Sequence, residues 1–163
     1  MGPLTQEEAN TLIQLSKYLL NPQSFRFPMQ SETRVYPLRY ARQETDKTDM
    51  NISLYRGKKS AQKVSYRLLY RGNVVLVRVD LGDMSVHTNP DGSVISSNTP
   101  HIHIYDENDE DRVALRLPDE FQDSSDIYQT FRDFLSFSHV INIGEIAIYE
   151  QGVLLDEDGN ELD

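Results

Sequence analysis

The chain has 163 residues and a formal net charge of −10, from 16 Lys/Arg and 26 Asp/Glu. It has no Cys and no Trp, which excludes a disulfide framework, thiolate zinc ligation, a CxxC redox centre and a cysteine nucleophile. No apolar run is long enough to span a membrane. Met1-Gly2-Pro3-Leu4-Thr5 lacks a basic stretch followed by an apolar one, so a soluble cytoplasmic protein is expected.

Thr5-Gln6-Glu7-Glu8 has the capping-box pattern, and Ala9, Leu12, Ile13, Ser16, Leu19 and Leu20 follow helical spacing. The pattern predicts a first helix over about 6–20, stopped by Asn21-Pro22. Residues 24–40 read as extended, with Pro28 and Pro37 favouring edge strand or loop. Residues 41–49 are polar, and Met50, Ile52 and Leu54 then alternate as in a strand. The best local signal is a hairpin over 63–81 turning at Gly72-Asn73. That turn pairs Tyr70 with Val75, Leu68 with Val77, Tyr66 with Val79 and Val64 with Leu81 on one buried face. Arg67 then opposes Arg78 on the other face, with Asp80 two positions along.

Ile102 and Ile104 alternate with His101, His103 and Tyr105. The carboxylate loop Asp106-Glu107-Asn108-Asp109-Glu110-Asp111 follows, then Val113, Leu115 and Leu117, expected on the core face with the two Ile residues. A second helix is predicted over about 124–138, capped by Asp123 or Ser124, with Ile127, Phe131, Phe134 and Leu135 as its apolar stripe. Residues 140–149 read as a strand with Ile141, Ile143, Ala147 and Tyr149 on one parity, and about 150–163 as an acidic turn-rich tail. The whole is expected to be a single α+β domain over 1–163, an antiparallel β-sheet with two helices packed on one face.

Charge is divided unevenly. Residues 1–78 carry 13 Lys/Arg and 6 Asp/Glu, or +7, whereas residues 79–163 carry 3 and 20, or −17. Such asymmetry is compatible with internal neutralisation, with a basic surface for nucleic acid, or with an acidic surface for a basic partner.

The histidines carry the sharpest chemical signal. His101 and His103, at i and i+2, point the same way from a strand, onto the polar face if Ile102 and Ile104 face the core. Asn89-Pro90-Asp91-Gly92 supplies a tight turn that can return His87 to their side. Three converging imidazoles suit Zn²⁺, with Asp80, Asp106, His139 or water as a fourth ligand and Asp80 favoured by parity. They also suit acid–base chemistry, with Arg67, Arg78, Arg116 and Tyr105 placed to receive a ribonucleotide. No phosphate loop, dinucleotide fingerprint or Gly-x-Ser-x-Gly elbow is present.

The block Val64–Phe121, with Gly72-Asn73, His87-Thr88-Asn89-Pro90-Asp91-Gly92, Pro100-His101-Ile102-His103-Ile104-Tyr105 and Leu117-Pro118-Asp119-Glu120-Phe121, resembles a family of uncharacterised proteins borne on prophages and mobile elements of Gram-positive bacteria. One context this resemblance implies is anti-defence, as in anti-CRISPR inhibitors of Cas9. On that reading His87, His101 and His103, with Asp80, hold a structural zinc. Asp106, Glu107, Asp109, Glu110 and Asp111 face a basic channel on the nuclease and block loading of target DNA, without direct nucleic-acid binding by the chain itself. A more distant resemblance, to TumE-type toxins, implies a ribonuclease in which His101 and His103 act as acid and base while Arg67, Arg78 and Arg116 hold phosphate. Oligomeric state is not readable, and whether the chain is an enzyme stays open between the two.

Overall fold

A computed structural model of the chain describes residues 2–148 and the backbone of the short strands β10 (Leu154–Leu155) and β11 (Glu161–Leu162), which pair with each other. The expected acidic tail otherwise lies outside the described residues. The architecture is the predicted α+β one. A seven-stranded antiparallel sheet runs β1 (Lys17–Leu19), β2 (Thr33–Arg42), β3 (Thr45–Arg56), β4 (Val64–Tyr70), β5 (Val74–Leu81), β8 (His101–Ile104) and β9 (Leu115–Arg116). Helices α1 (Gln6–Gln14) and α2 (Ile127–Phe137) share its apolar core. A small hairpin of β6 (His87–Thr88) and β7 (Val94–Ile95) stands apart from the sheet.

Helix α1 starts where predicted, with the Thr5 hydroxyl accepting from the Glu8 amide at 3.1 Å. It ends at Gln14 rather than near residue 20, because Leu15 turns extended (ψ 138°) and Lys17–Leu19 joins the edge of β2. Lys17 explains the change of state. Its side chain is fully buried, and its Nζ donates to the carbonyls of Ile13 (2.7 Å), Leu15 (2.8 Å) and Ser138 (2.8 Å). Those carbonyls lie at the C-terminal ends of both helices, where backbone acceptors lack partners and cations are favoured. Burial pushes the amine down to about 7; three short hydrogen bonds to carbonyls act in the opposite direction.

Strand β2 is an interior strand despite Pro37. The Pro37 carbonyl accepts from Leu20 on the β1 side, so its missing N–H falls beside the end of β1 and costs no bond to β3. The polar stretch 41–49 mostly belongs to β3, joined to β2 through Gln43-Glu44, both with positive φ (52° and 64°). That is the backbone of a two-residue hairpin turn built without glycine.

The β4–β5 hairpin keeps the predicted pairs Val64–Leu81, Tyr66–Val79, Arg67–Arg78 and Leu68–Val77. Beyond Leu68 the register shifts: Leu69 pairs with Val75 and Tyr70 with Val74, leaving buried Leu76 as the bulged residue. The turn therefore spans Arg71-Gly72-Asn73, with Arg71 left-handed (φ 52°) and its amide bonded to Asp49 at 2.7 Å.

The core is aromatic on the α2 side. Phe131 packs on Phe25, Phe27, Tyr66 and Phe134, as the predicted stripe requires. The cap of α2 is Asp126, which accepts from the amides of Tyr128 and Gln129. Asp123 instead binds Ser125. Tyr105, expected on the polar face, is buried, and its hydroxyl accepts from the Leu4 amide and donates to the Leu4 carbonyl. Leu115, expected in the core, is 49% exposed on the edge strand, and Ala114 is buried in its place. The predicted strand over 140–149 is replaced by a single bridge from Val140 to Lys17 and a 3₁₀ turn over Ile143–Glu145; Tyr149 lies outside the described residues.

Candidate metal centre

Strand register assembles the site. Strands β5 and β8 pair Arg78 with His103 and Asp80 with His101, so four polar side chains form a two-by-two block on one face. Ser65 opposes Asp80, Arg67 opposes Arg78, and Arg116 opposes His101 on the flanking strands. The alternate residues Val77, Val79, Ile102 and Ile104 turn to the core. The expectation that His101 and His103 leave the core face holds. That polar face is nevertheless shielded from solvent at both rings: His101 is 2% and His103 0% exposed.

Burial comes from a cap over 82–100, carrying β6 and β7. It is fastened by backbone and side-chain bonds. The Asn89 side chain donates to the Ala114 carbonyl (2.9 Å) and accepts from the Ala114 amide (2.7 Å), imitating a strand partner. His87 Nε2 donates to the Arg112 carbonyl at 2.8 Å. The cap thereby brings the His87 ring to 5.2 Å from that of His103 and 6.2 Å from that of His101, whose own rings are 5.1 Å apart.

Among the described residues, Asp80, His101 and His103 form a group that can hold a metal ion, each offering one donor atom within 4.8 Å of the others. Asp80 Oδ2 lies 3.4 Å from the Nε2 atoms of both His101 and His103. That is long for an N–H···O hydrogen bond, which favours 2.7–3.2 Å. It matches the donor–donor edge, about 3.3–3.4 Å, of a tetrahedral ion with ligands at about 2.0–2.1 Å. His101 Nδ1 donates to the Thr99 carbonyl at 2.8 Å, which leaves Nε2 as the atom aimed at Asp80. A metal-ligating histidine is commonly oriented by such a second hydrogen bond. His87 stands outside the 4.8 Å group; with Nε2 on Arg112, its Nδ1 is the nitrogen left to accept.

Arg78 completes the cluster. Its Nε donates to Asp80 Oδ2 (2.9 Å), its Nη1 to Asp111 Oδ2 (3.0 Å), and its Nη2 lies 2.9 Å from His103 Nε2. The guanidinium is a donor only, so His103 Nε2 must accept from it and the ring proton falls on Nδ1. His103 Nδ1 is buried with no hydrogen-bond partner among the described residues, so this arrangement leaves a donor unsatisfied. Burial raises the Asp80 pKa, but His101 and the Arg78 guanidinium outweigh it and hold the carboxyl well below the usual carboxylate range. Burial likewise opposes charge on His101, yet Asp80 and the Thr99 carbonyl raise its pKa above the ordinary imidazole value.

The other predicted positions separate. His139 follows α2 in the left-handed region (φ 59°), with Nδ1 on the Ile13 carbonyl, apart from the cluster. Asp106 accepts from the amides of Asn108 and Asp109 within its own loop. Glu107 accepts from the Gln6 amide at the start of α1, where an anion complements the helix dipole. Asp109 pairs with Arg112 and Asp111 with Arg78, while Glu110 is exposed. Arg67 is exposed across from Arg78. An open groove of about 520 Å³ beside the cluster is lined by Arg78, His87, Thr88, Pro90, Asp111 and Arg112. Sequence reasoning missed Thr99, Arg112 and Asn89 as supports. The first two act through backbone carbonyls, which carry no side-chain signal, whereas Asn89 was visible only as part of a turn.

No helix among the described residues is long and apolar enough to cross a membrane. Neither the curated proteins nor the solved structures contain a match to the chain. Residues 4–140, which include the sheet, both helices and the whole histidine cluster, match the model of DUF6978, a family of unknown function, and the chain belongs to that family.

Proposed function

We propose that the chain is a non-catalytic binding protein with a structural zinc ion held on the sheet beneath the cap. Asp80, His101 and His103 would hold the ion, with His87 the side chain placed nearest to complete the set. The observation that carries this reading is the 3.4 Å spacing of Asp80 Oδ2 from both imidazole Nε2 atoms, beneath a cap that buries them. Two or three imidazoles with one carboxylate suit zinc, and the burial of His101 and His103 suits a structural rather than a catalytic ion. Asp80 of β5 and His101 and His103 of β8 would share the ion, which would supply a cross-link between the two strands. Burial of His101 and His103 is also why binding is preferred here to ribonuclease chemistry, which needs imidazoles within reach of RNA.

The partner on this reading is a basic, nucleic-acid-handling protein, with a Cas9-type nuclease as the first candidate. The support is the −17 charge of residues 79–163 and the exposure of Glu110, Asp119 and Glu120. Such a surface associates quickly with Lys/Arg-rich partners and weakly at high salt. Two measurements test the proposal. Protein purified without chelator should contain about one zinc per chain, and His101→Ala should lose both the zinc and the thermal stability that zinc adds; a folded protein that takes up no zinc even when zinc is supplied would overturn the metal centre. Mixed with a Cas9 ribonucleoprotein, the chain should bind and block loading of target DNA. Absence of binding would remove that partner, and RNA cleavage that survives metal removal would replace the binding reading with the ribonuclease.

A further inference from the structure

Arg78 touches two of the three donor atoms of the proposed zinc site, and its position has a consequence for metal affinity. A neutral imidazole nitrogen carries one lone pair. The lone pair of His103 Nε2 is taken by Arg78 Nη2 at 2.9 Å. The same guanidinium donates through Nε to Asp80 Oδ2 at 2.9 Å. A metal ion and the Arg78 guanidinium cannot both use His103 Nε2, and two cations at that distance repel strongly in a buried site. The arrangement with Arg78 in place is also imperfect, because it forces the ring proton onto His103 Nδ1, which is buried without a partner among the described residues. On the solvent side Nη1 already meets Asp111 Oδ2 at 3.0 Å, and Asp111 is partly exposed at the groove. A retreat of the guanidinium toward Asp111 would leave it paired.

We propose that Arg78 is a tethered cation that competes with the metal for His103 and Asp80, and so sets the metal affinity of the site. This rests on the zinc reading above. In the metal-free protein Arg78 neutralises Asp80 and keeps β5 and β8 together. When metal enters, Arg78 yields His103 and remains on Asp111. The site thus gives up affinity for an arrangement that stays folded without metal.

The test is zinc affinity of metal-stripped protein, measured by competition with a chromophoric chelator, for wild type, Arg78→Gln and His101→Ala. Arg78→Gln should bind zinc at least tenfold more tightly than wild type, and His101→Ala should bind at least tenfold more weakly. Equal or weaker binding by Arg78→Gln, with wild type still binding, would overturn the competition and leave the zinc site standing. Failure of both wild type and folded Arg78→Gln to bind zinc would overturn the site itself and the competition with it. Should Arg78→Gln fail to fold, the Arg78 Nε–H resonance of the wild type decides. It should shift and exchange faster with water on zinc saturation; a resonance unchanged at saturation would refute the proposal.

Discussion

Replacing Asp80 by Asn probes the charge at the centre of the cluster. The change is nearly isosteric, so packing beside β4 and β8 is kept. What it removes is the one anion in contact with Arg78 Nε at 2.9 Å and with the Nε2 atoms of His101 and His103 at 3.4 Å. Asp80 is buried and Arg78 partly so, so the guanidinium loses its buried counter-charge and keeps Asp111, at 3.0 Å on the solvent side. Because Arg78 stays paired, the loss falls short of the penalty for a buried charge left alone and comes to about 2 kcal/mol. With a urea m-value of about 2 kcal/mol/M, the midpoint should fall by roughly 1 M in chelator at pH 7. Added zinc should restore little, because a donor is also gone. Asp80 is held below its ordinary pKa, so its contribution is present above about pH 4, the unfolded value, and is lost as pH falls through the folded one. Asp80→Asn should abolish that acid limb. Pairing it with Arg78→Met should recover much of the loss, since both charges are then removed. A midpoint shift below about 0.5 M, or strictly additive double-mutant losses, would refute the electrostatic account.

Other outcomes follow from the same structure. His101 has a raised pKa, so in the metal-free protein its stabilisation is complete below the unfolded value near 6.5 and is lost as pH rises through the folded value; His101→Gln should flatten the stability profile above pH 6.5, and an unchanged slope would contradict this. Lys17 is shifted the other way, to about 7. Between there and about 10.4 the unfolded chain holds a proton the folded one has released, so stability should rise with pH, by at most about 3 kcal/mol from pH 7 to 9.5. Lys17→Met should remove that slope, read by urea denaturation at the two pH values; the same slope in both proteins would sink the assignment. Asn89→Ala leaves the buried Ala114 amide and carbonyl without their partners and should cost about 2–4 kcal/mol. Hydrogen exchange at the Ala114 amide should accelerate, and continued protection there would show that Asn89 does not fasten the cap.

Where the pattern in the chain followed the physics closely, the fold was legible. Alternation along Val64–Leu68 and Val77–Leu81 specified a register because a one-residue slip would have mixed apolar and charged faces. Phe131 and its neighbours in α2 could only face a core. The bulge at Leu76 was not legible, since it depends on Arg71 taking a left-handed conformation to reach Asp49. The β2–β3 turn hid for the same reason: Gln43 and Glu44 adopt positive φ without being Gly or Asn. Lys17 misled the helix boundary, because a lysine rarely marks a buried position and its three carbonyl partners come from two separate helices. At the site, the i, i+2 spacing of His101 and His103 and the parity of Asp80 were sufficient to foresee their convergence. Enclosure was not foreseeable, because it depends on Asn89 and on the carbonyls of Thr99 and Arg112. The acidic run 106–111 reads in sequence as a single partner-facing surface; in the fold, four of its carboxylates serve the α1 terminus, their own loop, Arg112 or Arg78.

X-ray absorption at the zinc edge of the stoichiometrically loaded protein tests the metal centre most directly. The account predicts four nitrogen and oxygen neighbours at about 2.0–2.1 Å, with outer-shell scattering from at least two imidazole rings that weakens by one ring in His103→Ala. A six-coordinate oxygen shell without imidazole scattering would contradict it.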